Sequence, residues 1–123
     1  MYNPLTQYKE QAISTMSKGE LTVALFDEAL KNIRHAILLM EQQDYTRSKD
    51  CTDKAQSIFR YLCVALNYNY DISNSLNQLY KFFNQEIIRA EVRRDPEVLD
   101  AIFPLVSDMR DTWAQAEKLI HMK

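Results

Sequence analysis

Apolar side chains recur at steps of three and four residues along most of this chain, which is the spacing of one face of an α-helix. The first stripe predicts a helix of about 24 residues and consists of Leu21, Leu25, Phe26, Ala29, Leu30, Ile33, Ile37 and Met40. Ser17 and Glu20 precede it with the spacing of a capping box, in which each side chain accepts a hydrogen bond from the backbone N–H of the other residue. The first helix is therefore predicted to begin near Lys18.

Two more helices follow from the same periodicity and from polar residues at cap positions. The second begins close to Asp44, and its core face consists of Ala55, Ile58, Phe59, Leu62 and Leu66. Asp71 is predicted to cap the third. Its stripe consists of Ile72, Leu76, Leu79, Tyr80, Phe83, Ile87 and Ala90.

The fourth helix is predicted to begin after Asp95, because Pro96 and Glu97 both favour the first turn of a helix. Its apolar positions form a heptad seam typical of helical bundles, namely Leu99, Ile102, Val106, Met109, Trp113, Ala116 and Ile120. Pro104 removes one backbone hydrogen bond, so a kink or local break is expected there.

These elements predict an all-α fold: an antiparallel up-down bundle of four long helices with a short N-terminal helix or strap in front. A single glycine and three prolines leave few places for hairpin turns, which agrees with helices joined by short links. Residues 1–16 form the predicted leader and residues 17–123 the helical bundle, within one domain. The leader carries Leu5, Tyr8 and Ile13 between polar residues and is interpreted as a detachable apolar strap.

Composition and charge narrow the range of partners. The chain of 123 residues is 46% apolar, which fits one domain with one core, and its net charge of -2 offers no field that attracts nucleic acid. The first residues lack the pattern of a signal peptide, and no apolar run approaches the length of a membrane-spanning helix, so a cytosolic protein without membrane insertion is expected. Cys51 and Cys63 are interpreted as buried free thiols.

Catalysis, metal binding and cofactors are not predicted. The only histidines are His35 and His121, and neither follows a glutamate by three residues as in the Glu-x-x-His pairs of di-metal helical bundles. The chain also lacks a glycine-rich phosphate loop, a nucleophile elbow and a Cys-x-x-Cys motif. We therefore expect a protein that is not an enzyme and needs no cofactor.

A set of motifs runs along the whole chain. It begins with the Asn-Pro-aromatic leader and the Ser17 cap, and it continues through these positions: Glu20, Leu21, Leu25, Phe26, Asp27, Lys54, Ala55, Ile58, Leu76, Leu79, Tyr80, Arg110, Asp111, Thr112 and Trp113. This set resembles the flagellin-specific secretion chaperones of the FliS family. The chain departs from the family at Gln85 and Glu86, where an arginine pair is common, and at Glu91, where asparagine is common.

The resemblance implies a cytosolic export chaperone that binds the disordered C-terminal region of flagellin. It also implies that the chaperone prevents premature polymerisation of flagellin and delivers it to the flagellar type III export gate, with Leu5, Tyr8 and Ile13 as cap and gate contacts.

Apolar residues beyond the core stripes, together with three residues of those stripes, predict a client-binding groove. Its predicted residues are Leu25, Phe26, Tyr61, Val64, Tyr68, Tyr80, Val98, Phe103 and Leu105. Two alternatives stay open: a structural or regulatory bundle that forms homodimers through the same surfaces, and a metal-carboxylate helical enzyme. The sequence leaves open which flagellin is the client, the oligomeric state, binding of other flagellar regulators and the effect of Gln85 and Glu86.

Overall fold

The chain forms four long α-helices in the computed structural model, which describes residues 16–122. Their bounds are Lys18–Glu41 for α1, Tyr45–Ala65 for α2, Ile72–Arg93 for α3 and Pro96–His121 for α4. None of the helices in this part of the chain is long and apolar enough to cross a membrane. The predictions for the leader, including Leu5, Tyr8 and Ile13, lie outside the described residues.

Helix starts follow the predicted caps at three of four positions. The Ser17 hydroxyl accepts from the Glu20 N–H at 3.1 Å, and the Asp44 and Asp95 carboxylates accept from N–H groups in the first turns of α2 and α4. The prediction for Asp71 is wrong, because its side chain makes no cap hydrogen bond and its backbone is already helical, with φ of -58° and ψ of -38°. A capping residue needs an extended backbone to aim its side chain at the first turn.

Short connections make neighbouring helices antiparallel. Residues 42–44, 66–71 and 94–95 join the four helices, and left-handed backbone at Gln43 and Arg94 helps two of the reversals. α1 packs against α2 and α4, and α3 packs against the same two helices from the other side. The predicted up-down bundle is confirmed. The start of α1, the end of α2, the start of α3 and the end of α4 meet at one end, which we call the leader end because residues 1–15 precede it in the chain.

An aromatic cluster fills the centre of the bundle. Phe26 packs edge-on against Phe59 and Tyr80, with ring centroids 6.2 and 5.9 Å apart, and Phe59 packs against Phe83 at 5.4 Å. These rings come from α1, α2 and α3 and are fully buried. Edge-to-face packing at such distances adds to the free energy gained from burying the rings. The cluster therefore fixes the register of the three helices.

α4 follows its sequence prediction only in part. A local break at Pro104 is not present, because the helix continues through that residue. Asp100 and Pro104 are both exposed, so the carbonyl that loses its partner at residue 100 faces solvent. The heptad seam is buried in the first half of α4, but Ala116 is exposed and Ile120 is 65% exposed. The second half of the seam is thus not fully covered by the bundle.

Candidate functional site

An apolar groove opens between the four helices at the leader end of the bundle. It has a volume of about 380 Å³, and we call it the end groove. Its apolar and aromatic lining comes from all four helices and from the α2–α3 connection: Leu21, Tyr61, Leu62, Ala65, Leu66, Tyr70, Ile72, Leu76, Tyr80, Trp113 and Ile120. Polar lining residues lie mainly where α1 begins and α4 ends, and they include Lys18 and Glu117.

Tyr80 and Trp113 form the polar contact in the floor of the end groove. The Trp113 indole Nε1–H donates a hydrogen bond to the Tyr80 hydroxyl at 3.1 Å. Tyr80 is fully buried, and this burial raises the pKa of its hydroxyl to about 12 although the Trp113 hydrogen bond lowers it. Two aromatic side chains with one satisfied polar contact make a rigid, apolar floor that accepts apolar side chains.

Large apolar side chains are exposed around this floor. Tyr61 is 49% exposed on α2 and Ile72 is 63% exposed at the start of α3, and both line the end groove with Ile120. Val64 and Tyr68 are also exposed at this end, and the Tyr68 hydroxyl donates to the carbonyl of Cys63 at 2.8 Å. Apolar surface concentrated in this way is typical of a binding site.

A polar cluster joins α1 to α4 at the rim of the end groove. The Ser17 hydroxyl donates to Glu117 Oε1 at 2.8 Å, and His121 Nε2 lies 2.9 Å from the same oxygen. The Glu20 carboxylate lies 3.3 Å from His121 Nε2. The Ser17 half of the predicted capping box is therefore present, and the Glu20 carboxylate is placed beside α4.

The nine predicted groove residues do not form one surface. Tyr61 and Tyr80 line the end groove, and Val64 and Tyr68 lie on α2 and the α2–α3 connection at the same end. Leu25 is partly buried against the core. The remaining four residues lie elsewhere: Phe26, Val98, Phe103 and Leu105.

Phe26 and Val98 are corrections to the sequence prediction. Phe26 has no exposed surface because it sits within the central aromatic cluster, and Val98 is only 6% exposed in the first turn of α4. Neither side chain is available to a partner. Phe103 and Leu105 lie in the first half of α4, far along the helix from the end groove, and the Arg34 guanidinium covers the Phe103 ring at 4.5 Å from its centroid. Leu105 is 48% exposed on this separate face.

Sequence reasoning missed several residues of the end groove because they belong to the core stripes. Leu21, Leu66, Ile72, Leu76, Trp113 and Ile120 were all assigned to helix faces that pack inward. Their position near the helix ends could have indicated that they line a groove. In an up-down bundle these positions all fall at one end, where a stripe has fewer neighbours to cover it.

Two of the residues that depart from the family pattern, Glu86 and Glu91, make side-chain contacts from α3. The Glu86 carboxylate accepts from Arg89 Nε at 2.9 Å within the same helix. Glu91 accepts hydrogen bonds from Thr52 and Gln56 on α2, both at 2.9 Å, and pairs with Lys49 at 3.3 Å. Hydrogen bonds that Lys49 donates to the carboxylates of Asp53 and Glu91 raise the pKa of Lys49. Glu91 thus ties α3 to α2.

Comparisons with known proteins agree with this architecture. The sequence profile of the family described as flagellar protein FliS matches residues 1–119. A flagellar secretion chaperone FliS of Bacillus subtilis (strain 168) is 34% identical over 114 residues, which cover 93% of this chain and 86% of the relative. The chaperone of the same description from Salmonella typhimurium is 27% identical over 109 residues, covering 86% of this chain and 81% of the relative.

A solved structure shares the fold. A crystal structure described as a flagellar chaperone from bacteria superposes with a TM-score of 0.77 at 21% sequence identity, and the match covers 94% of this chain and 98% of the other. The sequence matches above carry the functional assignment. This chain belongs to the FliS family of flagellar secretion chaperones, which are not enzymes, and it has a chaperone role in flagellar export.

Proposed function

We propose that this chaperone binds the disordered C-terminal region of flagellin, using the end groove to hold apolar side chains of the client. Bound in this way, flagellin does not polymerise prematurely and is delivered from the cytosol to the flagellar type III export gate. The observation that carries the proposal is the end groove itself, with a rigid Tyr80–Trp113 floor and exposed Tyr61 and Ile72 beside it.

The chemistry of the end groove fits a segment that folds as it binds. An amphipathic helix presents apolar side chains at steps of three and four, and a groove of this kind accepts such anchors. Ordering a disordered client costs free energy, so the client must bury a large apolar area in return. Exposed Val64 and Tyr68 extend the apolar surface beyond the end groove and supply additional area.

The leader is proposed as the occupant of the end groove when no client is bound. Residues 1–16 directly precede Ser17 in the sequence, and Ser17 lies next to the groove-lining residue Lys18 at the start of α1. An extended chain spans at most about 3.3 to 3.6 Å per residue, so Ile13, Tyr8 and Leu5 all have enough chain to reach the groove. Once the client displaces the leader, Leu5 and Tyr8 are proposed to contact the export gate.

The principal experiment is calorimetric titration of a flagellin C-terminal peptide into the full chain. Tyr61→Ala should weaken binding at least about tenfold, since a truncated aromatic anchor commonly costs more than about 1.4 kcal/mol. Leu38→Ala is the matched control, because Leu38 is 50% exposed on α1 but does not line the end groove. No binding at tens of micromolar, or equal losses in both variants, would refute the proposed client site.

Leu105→Ala distinguishes a client confined to the end groove from one that continues along the bundle. Leu105 is as exposed as Tyr61 but lies on the separate face of α4. Weakened binding in this variant would extend the client surface to α4, whereas unchanged binding would restrict it to the leader end.

The role of the leader is tested by deleting residues 1–15. If the leader competes with the client, deletion should tighten client binding by about 1 to 3 kcal/mol, the net gain expected from docking two or three partly buried apolar side chains. Binding of the purified export gate should weaken in the same variant. A truncated chain with unchanged affinity for both partners would contradict both roles.

Homodimerisation is the alternative use of the exposed apolar surface. Analytical ultracentrifugation at low concentration separates the two functions, because a chaperone should present monomer to its client. A chain that stays dimeric at nanomolar concentration and does not bind the client peptide would favour the dimerisation module.

A further inference from the structure

Three metal-ligating side chains converge where the start of α1 meets the end of α4. Glu20, Glu117 and His121 each place one ligand atom within 4.8 Å of the others. Glu117 and His121 are four residues apart on α4, so they project from the same face of the helix, and Glu20 approaches from α1. The sequence did not predict this cluster, because a histidine was expected to bind metal only where it follows a glutamate by three residues.

We propose that Glu20, Glu117 and His121 bind a divalent transition-metal cation of the Zn²⁺ type and link α1 to α4 through it. A histidine nitrogen with two carboxylate oxygens is a ligand set for such cations, whereas Mg²⁺ and Ca²⁺ prefer oxygen ligands alone. Three protein ligands leave a fourth position of a tetrahedral ion for water.

The two distances from His121 to the carboxylates are close to those between ligands of one ion. Ligands bound to a tetrahedral Zn²⁺ at about 2.0 to 2.1 Å lie about 3.3 to 3.4 Å from one another. His121 Nε2 lies 3.3 Å from the Glu20 carboxylate and 2.9 Å from that of Glu117. The second distance needs to open by only about 0.4 Å for an ion to enter between the two atoms.

The surroundings of Glu117 hold its carboxylate in place. The Ser17 hydroxyl donates to Glu117 Oε1, the kind of hydrogen bond that commonly orients a metal-ligating carboxylate. The carboxylate also lies against Gly19, the one glycine of the chain, where a Cβ atom would stand 1.7 Å from Glu117 Oε2. A residue with a Cβ atom at this position would therefore require the Glu117 carboxylate to shift. Lys18 is nearby at the groove rim, but the two carboxylates outweigh its charge.

Titration of Zn²⁺ into the untagged, chelator-treated full chain tests the proposal. We expect saturable binding of one ion per chain with micromolar affinity. His121→Ala and Glu20→Gln should each weaken binding about tenfold or more, since even indirect changes around bound metals cost about 10- to 100-fold. His35→Ala is the matched control, because it removes the other histidine from an exposed position on α1 and should bind Zn²⁺ as the unmodified chain does.

Cobalt substitution separates this site from the two cysteines. Co²⁺ bound by Glu20, Glu117 and His121 should show visible d–d bands without a thiolate charge-transfer band. Burial raises the pKa of both Cys51 and Cys63, which disfavours the thiolate form that binds metals. A thiolate band, equal affinity of His121→Ala and the unmodified chain, or loss of binding in His35→Ala would each overturn the proposal.

Discussion

Replacing Tyr80 by phenylalanine should change how the stability of the bundle depends on alkaline pH. In the folded chain, burial raises the pKa of the Tyr80 hydroxyl to about 12, whereas a tyrosine in an unfolded chain titrates near about 10. Between these values the unfolded state loses the proton and the folded state keeps it. The unfolded state then binds fewer protons, so the free energy of unfolding falls as pH rises from about 10 to about 12.

The size of the effect follows from the two pKa values. Linkage gives a loss of about 1 to 2 kcal/mol by pH 11 and a limit of about 3 kcal/mol well above pH 12. Tyr80→Phe removes this contribution completely. At neutral pH the same variant should lose about 1 kcal/mol instead, because the Trp113 indole N–H loses its hydrogen-bond acceptor. The stability difference between the two proteins should therefore shrink and then reverse as pH rises.

Urea denaturation at several pH values between about 8 and about 11 measures this difference directly. Contributions from the other ionisable groups are common to both proteins and cancel in the comparison. Tyr61→Phe is a control for the loss of a tyrosine hydroxyl that is not buried. A constant difference between Tyr80→Phe and the unmodified chain across this range would refute the buried position of the Tyr80 hydroxyl.

Two further predictions concern stability at neutral pH. Phe26→Ala should lower the free energy of unfolding by about 3 to 5 kcal/mol, because it empties the centre of the aromatic cluster. Leu38→Ala should lower it far less, because Leu38 is half exposed. Denaturant midpoints in the reverse order would contradict the described core. Asp27→Asn removes an exposed ion pair in which Arg110 Nε lies 2.8 Å from Asp27 Oδ1. The free energy of unfolding should therefore fall by no more than about 1 kcal/mol, and by less in high salt. A salt-independent loss above that value would show that the pair is better shielded than its exposure indicates.

Helix starts and the order of the helices were predictable from the sequence because both depend on local chemistry. Ser17, Asp44 and Asp95 accept hydrogen bonds from the first turns that follow them, and short polar links then force antiparallel neighbours. Asp71 shows the limit of this reasoning. Its residue type suits a cap, but its backbone is in a helical conformation and its side chain makes no cap hydrogen bond.

The end groove was only partly predictable because a helical stripe does not reveal what covers it. Tyr61 and Tyr80 were identified, whereas Ile72 and Trp113 were read as core residues, although all four line the same groove. Phe26 shows the opposite error. Two other helices bring aromatic rings against it, and a sequence pattern does not show contacts between residues so far apart in the chain.

The heptad seam of α4 links the core of the bundle to the end groove. Val106 is fully buried in the first half of the seam, while Ile120 is 65% exposed at the groove in the second half. Val106→Ala should therefore lower stability, because it leaves a cavity, and should leave client affinity unchanged once the protein is folded. Ile120→Ala should have the opposite effect: it should weaken binding of the client peptide and change the denaturant midpoint little. If Ile120→Ala lowered stability as much as Val106→Ala, the second half of the seam would belong to the core and the end groove would be closed in solution.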